Sequence, residues 1–219
     1  MFNFAPRRES GAAGPRGWRA YGVGDIHGRL DLLEQLLGKI HDDIASRKPR
    51  KVLLVFVGDL IDRGPESAQV VERLRTYEHP GVQPVFLLGN HEEVLLRILG
   101  GEADLIEKWR SFGGRQCLAS YGVDAAALAG LREEDALAVV RGAIPKEHVE
   151  FLESFDDSCR FGDYLFVHAG IRPEVESRSN RIGIDTGAYR TGVLTALAIE
   201  GSESWLLDTR TVEKEVASS

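Results

Sequence analysis

The chain has 219 residues, 43% of them hydrophobic, enough for one sizeable core and too few for two large domains. Its formal net charge of −7 and pI near 5.4 exclude sequence-independent binding to a phosphate backbone, which needs clustered Lys and Arg. Only Cys117 and Cys159 are present, which excludes a disulfide framework and fits a reducing cytosol; no stretch approaches the roughly 20 apolar residues of a membrane helix. A cytoplasmic protein with neither a nucleic-acid nor a membrane partner is expected.

Residues 1–17 carry Pro6, Pro15, Arg7, Arg8 and Arg16 with no apolar run of signal-peptide length, and read as a mobile tail. The first strand, residues 18–23, ends in Gly24-Asp25-Ile26-His27-Gly28. An Asp and a His two apart on an extended or just-turning backbone point the same way, so Asp25 and His27 can reach one cation. Residues 29–45 then place Leu30, Leu33, Leu37, Ile40 and Ile44 at helical spacing, a stripe suited to core packing.

The continuous apolar run that opens at Val52 reads as a central strand covered on both faces, and it stops at Gly58-Asp59-Leu60-Ile61-Asp62-Arg63-Gly64-Pro65. Pro65 suits the first turn of a helix running to residue 76. A third strand, residues 83–88, ends in Gly89-Asn90-His91-Glu92, ahead of a helix that begins around Val94, Leu95, Ile98 and Leu99. Strands alternating with helices predict a parallel sheet, and ligands bind beyond the carboxyl ends of such strands. The three loops are therefore expected on one rim.

Residues 101–160 read as a helical cap lobe, with helices at 102–109, 132–140 and 146–153. A strand at 164–167 ends in His168-Ala169-Gly170, a fourth strand end with a candidate ligand. Two or three closing strands are expected at 181–184, 193–199 and 204–207, giving one domain over residues 18–210 and a frayed tail over 211–219. His41, His79 and His148 lie outside the motifs and read as packing or surface groups.

Taken in order, these four loops resemble the signature of the phosphoprotein phosphatase family of metallophosphoesterases, closest to the bacterial and phage-type serine/threonine phosphatases. Trp109, Gly113-Gly114 and Ser120-Tyr121-Gly122 add to the likeness. A cousin with a similar framework is the symmetrical diadenosine tetraphosphatase, whose third motif usually ends in Asp; Glu92 tilts the expectation toward the protein phosphatases. The resemblance implies an α/β, calcineurin-like metallophosphoesterase fold, with central mixed β-sheets flanked by helices and a helical cap lobe.

The resemblance also implies two divalent metal ions, Mn2+ first with Fe2+ or Zn2+ as alternatives, since mixed carboxylate, amide and imidazole ligands suit these metals. Asp25 and His27 would hold one ion, Asp59 would bridge both, and Asn90 with His168 would hold the second. The nucleophile would be a metal-bound hydroxide, His91 the general acid oriented by Asp62, and Arg63 with Asn90 the phosphate-binding groups. The expected substrate is a phosphoserine or phosphothreonine in a protein or peptide, with small phosphate esters also turned over. The alternatives are a nucleotide hydrolase of the tetraphosphatase kind and a phosphatase-like binding module of little activity.

One departure from the family pattern bears on the second metal. Relatives usually carry a Gly-His motif between the His-Ala-Gly loop and Asp185-Thr186-Gly187, and its His completes that site. Here residues 171–180 fill the interval and none is histidine, as though about 40 residues, one strand-helix unit, had gone. A segment left out of the sequence would restore the full ligand set. A true deletion would leave the second ion with Asp59, Asn90 and His168, weakly bound.

Overall fold

The computed structural model describes residues 12–168 and 182–210. Strand β1 (Trp18–Val23), helix α1 (Leu30–Arg47), strand β2 (Lys51–Phe56), helix α2 (Ser67–Arg75) and strand β3 (Val82–Phe86) follow one another in the alternation that the sequence predicts. The three strands pair in parallel, with Val23 opposite Phe56 and Phe56 opposite Phe86. Their last residues are level, so the loops that follow emerge side by side.

The apolar run of β2 is unbroken because both of its faces are buried. Val52, Leu54 and Phe56 enter a core with Leu33, Leu36, Ile40 and Val70 from the helices. Leu53, Val55 and Val57 enter a second core with Phe161, Phe166 and Ile199. Each such side chain contributes about 1.5–3 kcal/mol through burial. On α1 the predicted stripe holds at Leu33, Leu37 and Ile40, with Leu30 and Ile44 at its margins. The helix stops at Lys48, whose left-handed φ of 49° turns its N–H back to the Ile44 carbonyl.

Helices α3 (Asn90–Gly100), α4 (Leu105–Trp109), α5 (Arg115–Ser120), α6 (Glu133–Ala143) and α7 (Lys146–Glu153) fill the next stretch, with a turn at Arg110–Gly114, kinked at Gly113, joining α4 to α5. Strands β4 (Ser158–Phe161) and β5 (Tyr164–Val167) then form an antiparallel hairpin of their own. This corrects one expectation: residues 158–160 are strand rather than helical lobe. Gly162, at φ 61°, supplies the tight two-residue turn that pairs β5 with its immediate predecessor.

After α8 (Ala188–Thr191), β6 (Thr195–Glu200) and β7 (Glu203–Asp208) complete a five-stranded mixed sheet in the order β3-β2-β1-β6-β7, β6 antiparallel to both of its neighbours. Of the expected strand at 181–184, residues 182–184 run without a ladder, and Gly24 packs so closely on the Ile184 carbonyl that a Cβ would lie 2.4 Å from it. Residues 13 and 14, expected within the mobile tail, are pinned: Ala13 N donates to Asp163 Oδ2 at 2.9 Å and Gly14 N to the Gly201 carbonyl at 2.8 Å. Residues 1–11, the Ala169-Gly170 pair, the interval 171–180, Arg181 and the tail 211–219 lie outside the described residues. Among the described residues no helix is long and apolar enough to cross a membrane.

Candidate metal centre

The loops after β1 and β2 hold an unusual concentration of left-handed backbone: φ is 48° at His27, 51° at Asp59, 69° at Asp62 and 67° at Arg63. Each such residue costs about 1–3 kcal/mol and persists only where its surroundings over-determine it. Here they do. Ile26 N and His27 N both donate to the Asp59 carbonyl, at 3.1 and 2.9 Å, Gly28 N donates to Leu60 O at 2.8 Å, and Gly64 N donates to His27 O at 3.0 Å. Of the extended or just-turning backbone expected for the Asp-x-His pair, the structure has the turning form, with His27 left-handed.

Glu92 locks the second loop from below. Its Oε1 accepts from Leu60 N at 2.8 Å and Ile61 N at 3.2 Å, and its Oε2 from Asp59 N at 2.8 Å and Gly89 N at 3.1 Å. The last of these bonds ties the third residue of α3 back to its N-cap. Burial and the charge of Asp59 push the Glu92 pKa up to about 8, against the pull of the backbone donors. Gly89 is required for this packing, since a Cβ there would lie 2.3 Å from Asp59 N.

Above this frame the predicted ligands converge. His27 Nε2 lies 3.8 Å from Asp25 Oδ2 and 3.6 Å from Asp59 Oδ2. On the other side of Asp59, Oδ1 lies 3.5 Å from His168 Nε2, which is itself 3.0 Å from Asn90 Oδ1. His27 Nδ1 sits 2.8 Å from the Ile61 carbonyl and His168 Nδ1 2.8 Å from the Val57 carbonyl. Those carbonyls place the ring protons on Nδ1 and leave both Nε2 lone pairs facing Asp59, the outer-shell arrangement that orients metal-ligating histidines. His168 Nε2 and Asn90 Oδ1 then meet as two lone pairs, a contact that a shared cation relieves.

The charge balance points the same way. Asp25, Asp59, Asp62 and Glu92 are at most 6% exposed, and buried like charges disfavour one another strongly. Burial, then the charges of Asp59, Asp185 and Glu92, push Asp25 up to about 9, while burial drives His27 down to about 4, into its neutral, ligating form. A donor set of carboxylates, an amide and neutral imidazoles, short of positive charge, fits divalent metal ions.

Asn90 and His91 form the first turn of α3, which begins four residues earlier than the expected apolar stripe because Gly89 and Glu92 cap it there. His91 N donates to Asp59 Oδ1 at 3.1 Å, so the N-terminus of α3 abuts that carboxylate. The His91 ring contacts Asp62 through Nδ1 at 2.6 Å, and its Nε2 lies 3.9 Å from Asp59 Oδ2. His27, Asp59 and His91 offer ligand atoms within 4.8 Å of one another. Burial pushes the His91 pKa down, but the Asp62 bond and the charges of Asp59 and Asp62 outweigh it and the net shift is upward, which suits a proton donor better than a ligand. Burial raises Asp62 in turn, against the bond and charge of His91.

Three neighbours have functions that the sequence reading did not assign. Trp109 Nε1 donates to Asp62 Oδ2 at 2.8 Å, the oxygen already bound by His91. Glu92 carries the bridging loop, and the only trace of this in the sequence is its capping distance from Gly89. Tyr189 of α8 stands edge-on to His27, ring centroids 5.4 Å apart, and lies 4.8 Å under the Arg63 guanidinium. Arg63 itself, expected to hold phosphate, donates from Nη1 to His27 Nε2 at 2.9 Å, a cation facing the lone pair that a metal would take.

Residues 19–208 match the family model for calcineurin-like phosphoesterases. The chain is 28% identical over 167 residues to the asymmetrical bis(5'-nucleosyl)-tetraphosphatase of Anoxybacillus flavithermus, an alignment covering 73% of this chain and 60% of that protein. It is 33% identical over 159 residues to the symmetrical bis(5'-nucleosyl)-tetraphosphatase of Aeromonas salmonicida, covering 73% of this chain and 47% of the relative. The chain thus spans about half to three-fifths of the length of these curated relatives. Among solved structures, a candidate diadenosine tetraphosphatase shares the fold, with a TM-score of 0.52 and 21% identity over 87% of this chain and 93% of that one.

Proposed function

The chain belongs to the calcineurin-like phosphoesterase family, and from that premise we propose that it hydrolyses a phosphoanhydride bond of a dinucleoside polyphosphate. The observation that carries the reading is the meeting, around Asp59, of a lone-pair-lined anionic cluster with the His91–Asp62 pair. Asp25, His27, Asp59, Asn90 and His168 would hold two divalent ions, which when bound supply Lewis acidity toward phosphoryl oxygens and an activated water. Arg63 neutralises charge on the phosphate through its planar fork of donors. His91 donates its Nε2 proton to the departing oxygen, and Asp62 keeps the ring aligned through Nδ1.

The choice of substrate rests on the relatives, whose names are those of nucleotide tetraphosphatases. The alternative named from the sequence therefore moves ahead of the phosphoprotein reading. Glu92 had tilted that balance the other way, but it is fully buried and engaged with backbone donors beneath Asp59, so it does not face the substrate.

One observation favours the phosphomonoester reading as a second. A general acid helps most where the leaving oxygen is strongly basic, and the His91–Asp62 pair suits the alkoxide of a serine or threonine better than the less basic phosphate of a nucleotide. Turnover of diadenosine tetraphosphate, compared with that of a phosphoserine peptide in excess Mn2+, separates the two. The proposal expects the nucleotide to be preferred at least tenfold in kcat/KM; the reverse preference would replace it with the second reading.

A further inference from the structure

Beside the cluster lies an open groove of about 660 Å³ that neither the metal ligands nor the acid pair uses. Arg63 and Tyr189 line it on the side of the catalytic residues, and the turn from Arg110 to Gly113, with Arg115 and Gln116, completes its lining. We propose that this groove is the leaving-group subsite, and that it takes a nucleoside di- or polyphosphate with the base on Phe112 and the phosphate chain between Arg63 and Arg115. The proposal rests on, and deepens, the anhydride-hydrolase reading.

Its first support is the position of Phe112. The side chain is 56% exposed although large and apolar, and it projects from the turn Arg110–Gly114, where the chain kinks at Gly113 between two helices. The turn is held against the catalytic loop. Arg63 N donates to the Gly113 carbonyl at 3.2 Å, and Gly113, at φ 115°, comes so close that a Cβ would lie 2.5 Å from Arg63 N. One residue before the turn, Trp109 is bonded to Asp62. The aromatic platform is therefore fixed in register with both the phosphate-binding arginine and the acid pair.

Charge supplies the second support. The protein carries a net −7, yet Arg63, Arg110 and Arg115 all line this groove, and Arg115 has no ion-pair partner among the described residues. An exposed aromatic ring in a groove lined by arginines is the chemistry that receives a base and its phosphates, because every base offers a π-face and the guanidinium fork matches phosphate oxygens. The volume lies within the roughly 300–1,000 Å³ of small-ligand sites. A phosphoserine peptide would bring one phosphate and no base, leaving Phe112 and the second arginine unused.

The test compares binding of ADP with binding of pyrophosphate to the Mn2+-loaded chain by calorimetry, beside turnover of diadenosine tetraphosphate. The wild type is expected to prefer ADP to pyrophosphate, and Phe112→Ala to reduce that preference about tenfold, the usual scale of one base-aromatic stack. Phe112→Trp should restore it, which a merely structural loss would not allow. Arg115→Ala should weaken both ligands. Equal affinity of the wild type for ADP and pyrophosphate, or an ADP preference that survives Phe112→Ala, overturns the subsite. An ADP preference that depends on Phe112 in a chain that leaves diadenosine tetraphosphate intact would keep the subsite and overturn the anhydride-hydrolase reading instead.

Discussion

Asp25, His27 and Asp59 leave the ends of two paired central strands, are 6%, 1% and 3% exposed, and rest on loops locked to each other and to Glu92. Asn90, by contrast, is exposed, and His168 sits at the end of a two-stranded hairpin. Asp59 alone belongs to both halves, one carboxylate oxygen turned toward each. The contrast teaches that one half of the proposed metal centre is preorganised by strained backbone and the other half is assembled from more exposed parts. No histidine follows His168 in the given sequence.

The strongest way to break this division is at the shared residue. Asp59→Asn should abolish both halves together, lowering turnover about 10³-fold or more, because Lewis-acid activation and substrate orientation are lost at once; metal analysis of the purified variant should show neither ion. Retention of one ion at full occupancy would mean that the two halves do not share Asp59.

The locked half is tested by Glu92→Ala. Removing a buried acceptor of four backbone N–H groups should cost about 3 kcal/mol and lower the melting temperature by roughly 10 °C in a chain of this size. A shift under about 2 °C would show that the loop stands without it. His91→Asn should leave metal stoichiometry intact while lowering turnover of an alkyl phosphate about 10²-fold, and that of diadenosine tetraphosphate by less, since its departing phosphate is the weaker base. Equal losses on both substrates would remove the proton-donor role. The smallest effect belongs to Trp109→Phe, which deletes one of the two donors to Asp62 Oδ2. It should slow the reaction about fivefold, the value of one modest hydrogen bond of about 1 kcal/mol, with both ions retained.

These contrasts also mark what the sequence could tell. The parallel core was legible because β2 is buried on both faces and its apolar run is therefore continuous, and the Asp and His residues at the strand ends were legible because each sits directly after such a run. Less visible was how they meet. Left-handed φ at His27, Asp59, Asp62 and Arg63 has no sequence sign in non-glycine residues, and it is imposed by hydrogen bonds from loops elsewhere in the chain. Glu92 looked like a mark of substrate class, whereas its partners, the N–H groups around Asp59, lie about 30 residues away. The β4–β5 hairpin was missed because a four-residue strand such as Ser158–Phe161 is too short for its periodicity to stand out from a helical neighbourhood.

Titration of the metal-free chain with Mn2+, followed by calorimetry in the wild type and in His168→Ala, tests the central claim most directly. Two unequal steps are expected in the wild type, a tight one for the Asp25–His27 half and a weaker one for the Asn90–His168 half, with His168→Ala removing only the weaker. A single step of two equally held ions, or loss of the tight step when His168 is replaced, would contradict a bridged pair of unequal sites.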